Sequence, residues 1–436
     1  MALTGHAAGL PSLTPAAAFG LLGQVTDELA AVTGTAGPRA RADPAELIAG
    51  RAALVGLTRQ GPVSAGGTSR LLRCADGWCA LTLSRADDLA AIPALLGLLG
   101  LDAPELAGAA DPGAADAWAA LATAAPARSA AALADNAQLL GVPAAALPPL
   151  PALADGEAWP PWRVSRIAGR SPAARLNGAL VVDLSSMWAG PLCARLLGRG
   201  GARVVKVETP DRPDGARAGN RDFFDWLHAG HQSVALDFRS AAGRDALGAL
   251  LAAADVVIEA SRPRALEQAG LAPAQRPHRD GQVWLSVTGY GRDRPDRVAF
   301  GDDAAVAGGL VAWVLSPGGG GHEPVFCADA VADPLTGVCG ALAVARSLAD
   351  GGGQLIDLPM RAVAAGFAAA DLPAQRILHP GSHQAWRTEA GTSAIVRCDV
   401  LGRDQPVLPP SRPASAGRAP ELGADTAAVL DRFAAG

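Results

Sequence analysis

The sequence predicts a doubly wound α/β protein with a mainly parallel, Rossmann-like sheet and a second, smaller α+β domain. From residue 176 onward, short β-branched runs alternate with Ala- and Leu-rich stretches of helical length, the pattern of parallel strands joined by crossover helices. Before residue 150, an Asp-Gly step separates two apolar runs, which is typical of a β-hairpin. Half of the 436 residues are hydrophobic but only 4% are aromatic. This composition favours tightly packed Ala-rich helices over a β-sandwich.

The predicted organisation has five segments, two of which are folded domains. Pro-rich stretches at Pro148–Pro151 and Trp159–Trp162 indicate a stiff connection between those domains. The segments are an N-terminal extension (1–45), a small α+β domain (46–150), a linker (151–175), the main domain (176–372) and a C-terminal tail (373–436).

Each element of the main domain is predicted from its own local pattern. Short runs of valine, isoleucine and leucine predict the strands Ala179–Leu184, Arg203–Glu208, Val256–Glu259, Val283–Thr288 and Gln354–Leu358. Longer Ala- and Leu-rich stretches predict the helices Pro191–Gly198, Ala241–Ala254 and Leu335–Leu348. Outside this domain we predict helices over Pro15–Ala31 and Thr426–Phe433, and a hairpin turning at Cys74–Gly77.

Charge and hydropathy exclude several classes of protein. A net charge of −5 provides no positive surface for nucleic acid or an anionic membrane. No apolar run reaches the roughly 18 residues that a membrane span requires, and the nearest, Leu89–Leu101, is predicted to be a buried helix. The N-terminus lacks a basic stretch before an apolar one, so we expect a cytoplasmic protein. Its six scattered cysteines are then expected to be reduced, mostly buried and without a metal.

The segments after the predicted strands carry none of the common α/β ligand motifs. The first strand is followed by Ser185-Ser-Met-Trp-Ala-Gly-Pro191 and not by G-x-G-x-x-G, and no G-x-x-x-x-G-K-[ST] occurs. Gly318–Gly321 could cradle a phosphate, but a flexible loop is the better interpretation. His228 and His231 have no further ligand types beside them, so we predict no metal site.

Eight short fragments follow the first predicted strand in a recognisable order. They are Val181–Glu208 (Val-Val-Asp-Leu, Ala-Gly-Pro and Arg-Val-Val-Lys-Val-Glu), Ser233–Asp237, Ala254–Glu259, Arg262-Pro263, Ser286–Gly291, Asp333–Gly337, Gly353–Asp357 and Ala419–Gly423. In this order they resemble the class III CoA-transferases, which include formyl-CoA and carnitine CoA-transferases, with α-methylacyl-CoA racemase as a relative. The resemblance implies an acyl-CoA substrate, a carboxylic acid acceptor, no tightly bound cofactor and an interlocked homodimer.

The N-terminal third resembles the same family out of order. Ser64–Gly67 and Arg73–Trp78 look like the start of the family's small domain, which normally follows the strand that reads Gln354–Asp357 here. The interval Leu358 to Pro409 is too short to contain that domain. We therefore predict a circular permutation that moves the small domain to the N-terminus. The alternative is a degenerate extra copy beside a truncated main body.

Asp333 is the candidate nucleophile. A carboxylate that attacks a thioester can hold the acyl group while CoA departs, and a helix start offers backbone N–H groups to stabilise the oxyanion. Asp333 precedes Pro334 at a predicted helix start, so a role as N-cap alone is the structural alternative. The resemblance implies catalysis, because the family carries its catalytic aspartate in the context that reads Ala332–Gly337 here. Asp329 is the alternative if the register shifts by four residues.

The resemblance also implies which residues contact CoA. The phosphates of CoA favour arginine partners. The family's CoA-contacting loops match Arg239 and Arg262 here, and each lies close to the end of a predicted strand. Trp188 and the segment Phe300–Asp303, which contains Gly301, fall in two further contact loops.

Two departures from the family pattern leave alternatives open. The family's Asn-Arg-Gly-Lys-Arg segment reads His228–Gln232 here, which removes cations and motivates a non-catalytic CoA-binding protein. The racemase branch carries a histidine in a Gly-His-Asp motif that reads Gly301-Asp302-Asp303 here. An acyl-CoA racemase or epimerase is therefore the weaker enzymatic alternative.

The chain has a single lysine, Lys206, among 37 basic residues. It lies in the second predicted strand, where the family usually has lysine, although arginine fills nearly every other basic position in the chain. An inactive Lys206→Arg variant would indicate that this lysine is required.

Overall fold

In the computed structural model, helices pack on both faces of one large sheet. The structure describes residues 2–9, 11–12, 16–34, 42–100, 113–149, 159–260, 263–319, 321–377, 383–387, 394–398, 403–407, 409–415 and 417–432. The α-helices are α1 (Ala16–Val32), α2 (Pro44–Val55), α3 (Ala86–Ala90), α4 (Ile92–Leu98), α5 (Ala114–Ala124), α6 (Ala130–Leu139), α7 (Ala189–Arg199), α8 (Arg221–His228), α9 (Ala241–Ala253), α10 (Pro263–Gln268), α11 (Gly301–Ala307), α12 (Ala332–Ala349), α13 (Met360–Ile377) and α14 (Thr426–Leu430). The strands are β1 (Ser69–Arg73), β2 (Trp78–Thr82), β3 (Ala144–Ala146), β4 (Arg163–Arg166), β5 (Leu180–Asp183), β6 (Arg203–Glu208), β7 (Gln232–Ala235), β8 (Val256–Glu259), β9 (Val283–Thr288), β10 (Val311–Leu315), β11 (His322–Phe326), β12 (Gln354–Pro359), β13 (His383–Arg387), β14 (Ala394–Cys398) and β15 (Arg403–Pro406).

The large sheet confirms the doubly wound prediction. Its strand order is β4-β12-β9-β8-β5-β6-β7, and every neighbouring pair is parallel except β4 with β12 at one edge. The chain runs from β5 outward through β6 and β7, then returns to the other side of β5 through β8, β9 and β12. The strand order therefore reverses between β5 and β8. In open α/β sheets, ligands bind in the crevice at the carboxyl ends of the strands at such a point.

The central strands are apolar because both faces of the sheet are covered. All four residues of β5 and all four of β8 are buried. Val181 and Ile258 pack into a core with α7 and α12 on one face, while Val182 and Val257 pack into a core with α9 on the other. A strand buried on both faces reads as a continuous hydrophobic run, and this is why the parallel strands were recognisable in the sequence.

Helix α12 packs closely along α7. A Cβ on Gly337 of α12 would lie 2.8 Å from the carbonyl oxygen of Ala189 and 2.9 Å from the Cβ of Leu192, both in α7. Only glycine allows this approach at that point. The first turns of the two helices are thereby held side by side.

The small sheet β1-β2-β3 confirms the predicted hairpin. Strands β1 and β2 pair antiparallel, with Leu71 opposite Ala80, and α4, α5 and α6 supply a core around Leu81 that includes Leu95 and Leu121. The predicted single helix Leu89–Leu101 is wrong. Helix α3 ends at Ala90 and α4 begins at Ile92 with a proline in its first turn; residue 101 lies outside the described residues.

Other features differ from the sequence-based expectations. Gly318, Gly319 and Gly321 lie between the paired strands β10 and β11, a hairpin that was not among the predicted elements, and Gly320 lies outside the described residues. Strand β4 lies inside the predicted linker and joins the large sheet. The five cysteines whose side chains are described are buried thiols outside any disulfide, as predicted; the side chain of Cys398 is outside that set. Among the described residues no helix is both long enough and apolar enough to cross a membrane.

Candidate active site

Asp333 lies beside the first turn of α7, the helix that follows β5. It is the second residue of α12, and the residue at the N-cap position is Val331, which makes no side-chain capping bond. The interpretation of Asp333 as an N-cap is therefore wrong. The backbone N–H of Ala189 lies close enough to its carboxylate to lower the pKa of Asp333, so the close packing of α7 on α12 positions a donor near this side chain.

Burial dominates the electrostatics of Asp333 and raises its pKa to about 7. The guanidinium of Arg51 and the hydrogen bond from Ala189 act in the opposite direction, whereas the carboxylates of Asp302 and Asp329 raise the pKa further. An aspartate with this pKa is about half ionised at neutral pH, and such poised groups concentrate at active sites.

Asp302 and Asp329 complete a cluster of three carboxylates with Asp333. Asp302, in the first turn of α11, accepts a hydrogen bond from the backbone N–H of Ala330 at 3.0 Å. Burial raises the pKa of Asp302 to about 6, with the charge of Asp329 as the second cause. Burial also raises the pKa of Asp329, while Arg51 opposes that shift. Neighbouring carboxylates in one buried site disfavour each other's ionised forms, so some of them stay protonated near neutral pH. This cluster can therefore hold and exchange protons.

The turn that carries Asp329 has a strained backbone. Ala328 and Ala330 have φ values of 55° and 41°, in the left-handed region that costs a non-glycine residue roughly 1–2 kcal/mol. Strain of this kind persists where the surroundings fix the conformation, and it clusters at functional sites. In this conformation of the turn, the Asp329 carboxylate and the Ala330 N–H both lie in the carboxylate cluster.

Lys206 fixes the loop between β5 and α7. Its ammonium is fully buried, donates to the carbonyl oxygen of Ser185 at 2.8 Å and pairs with Asp214 at 2.9 Å. The other oxygen of Asp214 accepts the backbone N–H of Met187 at 3.0 Å. Met187 has a φ of 73°, and the loop leads directly to Ala189, the donor to Asp333. The single lysine is thus part of the support of the candidate site.

Gly301, one of the predicted CoA-contacting residues, touches the nucleophile candidate. A Cβ at Gly301 would lie 2.2 Å from Oδ2 of Asp333 and 2.4 Å from the carbonyl oxygen of Ala330. The Ala330 oxygen belongs to the backbone and cannot move aside at low cost, so an added Cβ would displace the Asp333 carboxylate. Because Gly301 has no side chain, the Asp333 carboxylate can occupy this space.

We expect Gly301→Ala to reduce turnover by about a hundredfold, because displacing a reacting group by about 1 Å can cost that much. The measurement is kcat with an acyl-CoA donor, together with the melting temperature. Gly318→Ala is the matched control, since a Cβ there meets nothing within 4 Å. Equal activity of the two variants would contradict the assignment of this space to the reacting carboxylate.

The small sheet reaches the site through two hydroxyl groups. Ser69 of β1 donates to Asp302 at 3.0 Å, and Thr82 of β2 donates to Asp303 at 3.1 Å. Burial raises the pKa of Asp303 to about 8, and its hydrogen bonds to Phe300 and Thr82 only partly oppose this shift. Helix α11 is therefore coupled to the small sheet by two buried carboxyl groups.

The folded state is expected to lose stability as pH rises from about 4 to about 8. A carboxyl group whose pKa rises from 3.8 to about 8 on folding binds its proton more tightly when folded, so that stability is lost as the proton leaves. Asp303→Asn mimics the protonated group and should remove this loss, which amounts to on the order of 5 kcal/mol over the whole range. Urea unfolding across that pH range is the measurement. An unchanged slope in the variant, matching that of the exposed control Asp116→Asn, would refute the expectation.

The other predicted contact residues lie in different environments. Trp188 is buried against Phe223, with ring centroids 5.5 Å apart. Arg239 is 76% exposed and pairs with Asp211 and Asp237, so it does not share the environment of Asp333. Arg262 lies outside the described residues.

In the His228–Gln232 segment His228 is buried and His231 is half-buried. Their nearest ring nitrogens are 3.4 Å apart. Burial lowers the pKa of both, to about 3 for His231 and well below the usual value for His228. They supply no cations in place of those in the family's segment. In the part of the chain that is described, no three or more His, Cys, Asp or Glu side chains are arranged so that they could hold a metal ion.

Sequence reasoning missed Arg51, Ser69 and Thr82. Nothing in the local sequence distinguishes Arg51 from the many other arginines, and the two hydroxyl residues lie in an ordinary hairpin. Their role arises from long-range packing: Arg51 contacts Asp329 across 278 positions of the chain.

Comparison with known proteins identifies the class of the main domain. A profile of CoA-transferase family III matches residues 176–399. The chain is 33% identical over 203 residues to the beta subunit of a succinyl-CoA–L-malate CoA-transferase from Chloroflexus aurantiacus, covering 43% of this chain and 50% of that protein. It is 30% identical over 205 residues to a succinate–glutarate CoA-transferase from Agrobacterium fabrum, covering 42% and 50%. The chain thus spans about half the length of the curated relatives it matches.

Solved structures give a similar partial match. A hypothetical protein from Mycobacterium tuberculosis is 28% identical, with a TM-score of 0.44, over 52% of this chain and 65% of that one. A CaiB/BaiF family protein from Brucella suis is 26% identical, with a TM-score of 0.44, over 52% and 66%.

Proposed function

Because this chain belongs to CoA-transferase family III, we propose that it transfers CoA from an acyl-CoA donor to a carboxylic acid acceptor, with Asp333 as the nucleophile. One observation carries this proposal. The Asp333 carboxylate is held at the first turn of α12, within reach of a backbone N–H from α7 and with its pKa raised to about 7. Its ionised form is available at neutral pH, and the neighbouring N–H can stabilise negative charge that develops during acyl transfer.

The proposed reaction begins with attack of an Asp333 carboxylate oxygen on the thioester carbonyl carbon. The C–S bond breaks, CoA leaves as a thiolate, and Asp333 and the acyl group form a mixed anhydride. The thiolate then attacks the Asp333 carbonyl carbon. The anhydride C–O bond breaks, the donor acid leaves, and Asp333 carries CoA as a thioester.

The second half repeats these steps with the acceptor. Its carboxylate attacks the aspartyl thioester, expels the thiolate and forms a second mixed anhydride. The thiolate attacks the acceptor carbonyl carbon, so that the acceptor leaves as acyl-CoA and Asp333 regains its carboxylate. No redox partner or tightly bound cofactor takes part in these steps.

The small sheet is proposed to be the family's small domain in permuted order. The support is its contact with the site, because Ser69 and Thr82 donate hydrogen bonds to two carboxyl groups of α11. We also propose that two copies of the chain form the interlocked homodimer that the resemblance implies. Sedimentation equilibrium tests this assembly directly.

A second candidate function is acyl-CoA racemisation. The observation that favours it is the carboxyl pair Asp302 and Asp333, whose pKa values are raised to about 6 and about 7. Two such groups can in principle remove and return an α-proton. The transferase remains the first proposal because the chain belongs to CoA-transferase family III and carries Asp302 where the racemase branch has a histidine.

Incubation with an acyl-CoA in deuterated water separates the candidates. Mass spectrometry of proteolytic peptides detects CoA or acyl adducts on Asp333, and NMR of the recovered acyl-CoA detects α-proton exchange. Adduct formation with acceptor-dependent turnover supports transfer. Exchange without an adduct supports racemisation, and CoA binding with neither result supports a non-catalytic protein.

A further inference from the structure

Arg51 reaches the candidate site from the N-terminal part of the chain. It lies in α2, whose first turn is capped by the side chain of Asp43, and it precedes the region matched by the family profile. Its Nη1 is 2.6 and 2.7 Å from the two carboxylate oxygens of Asp329. Its guanidinium carbon is 5.5 Å from the ring centroids of both Trp188 and Phe223. The cation is thus held by two aromatic rings and one buried carboxylate.

We propose that Arg51 is a positioning residue for the transferase site: held by Trp188 and Phe223, it fixes Asp329 and supplies the cation that keeps Asp333 available as the nucleophile. This inference rests on the proposed function. It means that a segment outside the matched family region completes the site.

The charge balance around Asp333 supports this role. The described groups that act on it are Asp302 from α11, Asp329 from the strained turn, the Ala189 N–H from α7, and Arg51 from α2. Arg51 is the one cation in that set. Two neighbouring carboxylates and burial favour protonated Asp333, so removing the cation should leave the nucleophile neutral over a wider pH range.

The residue type suits the position. A planar guanidinium can contact aromatic faces and a carboxylate at the same time. The Arg51 side chain is 28% exposed and that of Asp329 1%. The pair is therefore partly shielded from solvent, where charges influence each other more strongly than at an open surface.

The test measures kcat/KM against pH in variants with opposite charge changes. On the acid side of the profile, activity rises with pH around a midpoint that reports the ionisation of Asp333. Arg51→Gln should move this midpoint upward by about one pH unit, so that activity at pH values below both midpoints falls about tenfold. Asp329→Asn should move it downward, because it removes a negative neighbour. Arg51→Lys should restore much of the wild-type midpoint, since it keeps the charge.

Arg346→Gln is the matched control. Arg346 pairs with Glu28 of α1 at 2.7 Å, so this variant also removes an ion pair between the N-terminal segment and the main domain. It should leave the midpoint unchanged. A purely structural role of Arg51 predicts instead that Arg51→Gln and Asp329→Asn reduce activity without moving the midpoint in opposite directions, and this result would overturn the proposal.

Infrared titration tests the inference without requiring turnover. The carbonyl band of protonated carboxyl groups is recorded against pH, and the spectrum of Asp333→Asn is subtracted to isolate Asp333. An Asp333 titration midpoint that shifts upward in Arg51→Gln and downward in Asp329→Asn supports the inference even if no transfer is detected. Transfer through Asp333 with an unmoved titration in both variants would reject the inference and leave the proposed function intact.

Discussion

Asp333→Asn is expected to lower kcat/KM for CoA transfer by about a thousandfold or more and to abolish the covalent enzyme–CoA adduct. Asparagine has nearly the same shape as aspartate, but its amide nitrogen cannot form the anhydride through which CoA must pass. Asparagine keeps a side-chain oxygen that can accept from the Ala189 N–H, and the close packing of α12 on α7 does not depend on the charge. The acyl-CoA substrate should therefore still bind.

The same variant should not lose stability. Burial raises the pKa of Asp333 to about 7, so above that pH the folded protein holds an unfavourable buried charge that asparagine removes. Unfolding free energy at alkaline pH is expected to be unchanged or higher. Asp350→Asn, at the exposed C-terminal end of α12, is the control that keeps full activity. An active Asp333→Asn enzyme would remove Asp333 from the chemistry.

Lys206→Met is expected to destabilise the folded protein by about 3–5 kcal/mol, because loss of one partner leaves buried carboxylates without a counter-charge. Lys206 is 1% exposed, and the charges of Asp183 and Asp214 raise its pKa against the opposing effect of burial, which is the larger single cause. Urea unfolding at neutral pH measures the loss. Lys206→Arg is also expected to destabilise, since the bulkier guanidinium has no free space at this position.

Arg203→Met is the matched control for Lys206→Met. Arg203 is the exposed first residue of the same strand, β6, and surface substitutions of this kind usually change stability by less than about 0.5 kcal/mol. Combining Lys206→Met with Asp214→Asn should recover part of the loss, because one of the carboxylates left without a partner becomes neutral. Equal stability of Lys206→Met and Arg203→Met would contradict the supporting role of the lysine.

The sequence predicted the elements whose patterns are set by burial. Strands β6, β8 and β9 begin and end at the predicted residues, because each contains a run of β-branched or other apolar residues that the sheet buries. Strand β4 was missed because its four residues, Arg163–Arg166, are all exposed and only one is apolar. The β10–β11 hairpin was missed because its turn was interpreted as an isolated loop.

The site was predictable to a smaller extent. The family resemblance predicted Asp333 and Gly301 as site residues, and the structure places them in contact. The positive φ values at Ala328 and Ala330 were not predictable, because alanine gives no local signal for that conformation. The contact between Arg51 and Asp329 depends on how α2 packs against the main domain, which local patterns do not encode.

The most direct test of transfer through Asp333 follows oxygen atoms. An acceptor acid labelled at both carboxylate oxygens with a heavy isotope is turned over with an unlabelled acyl-CoA, and the peptide that contains Asp333 is weighed by mass spectrometry. The mechanism predicts one heavy oxygen in the Asp333 carboxylate after a single turnover, followed by its appearance in the donor acid released in the next. Heavy oxygen that enters the donor acid while Asp333 stays unlabelled would contradict a covalent role for this aspartate.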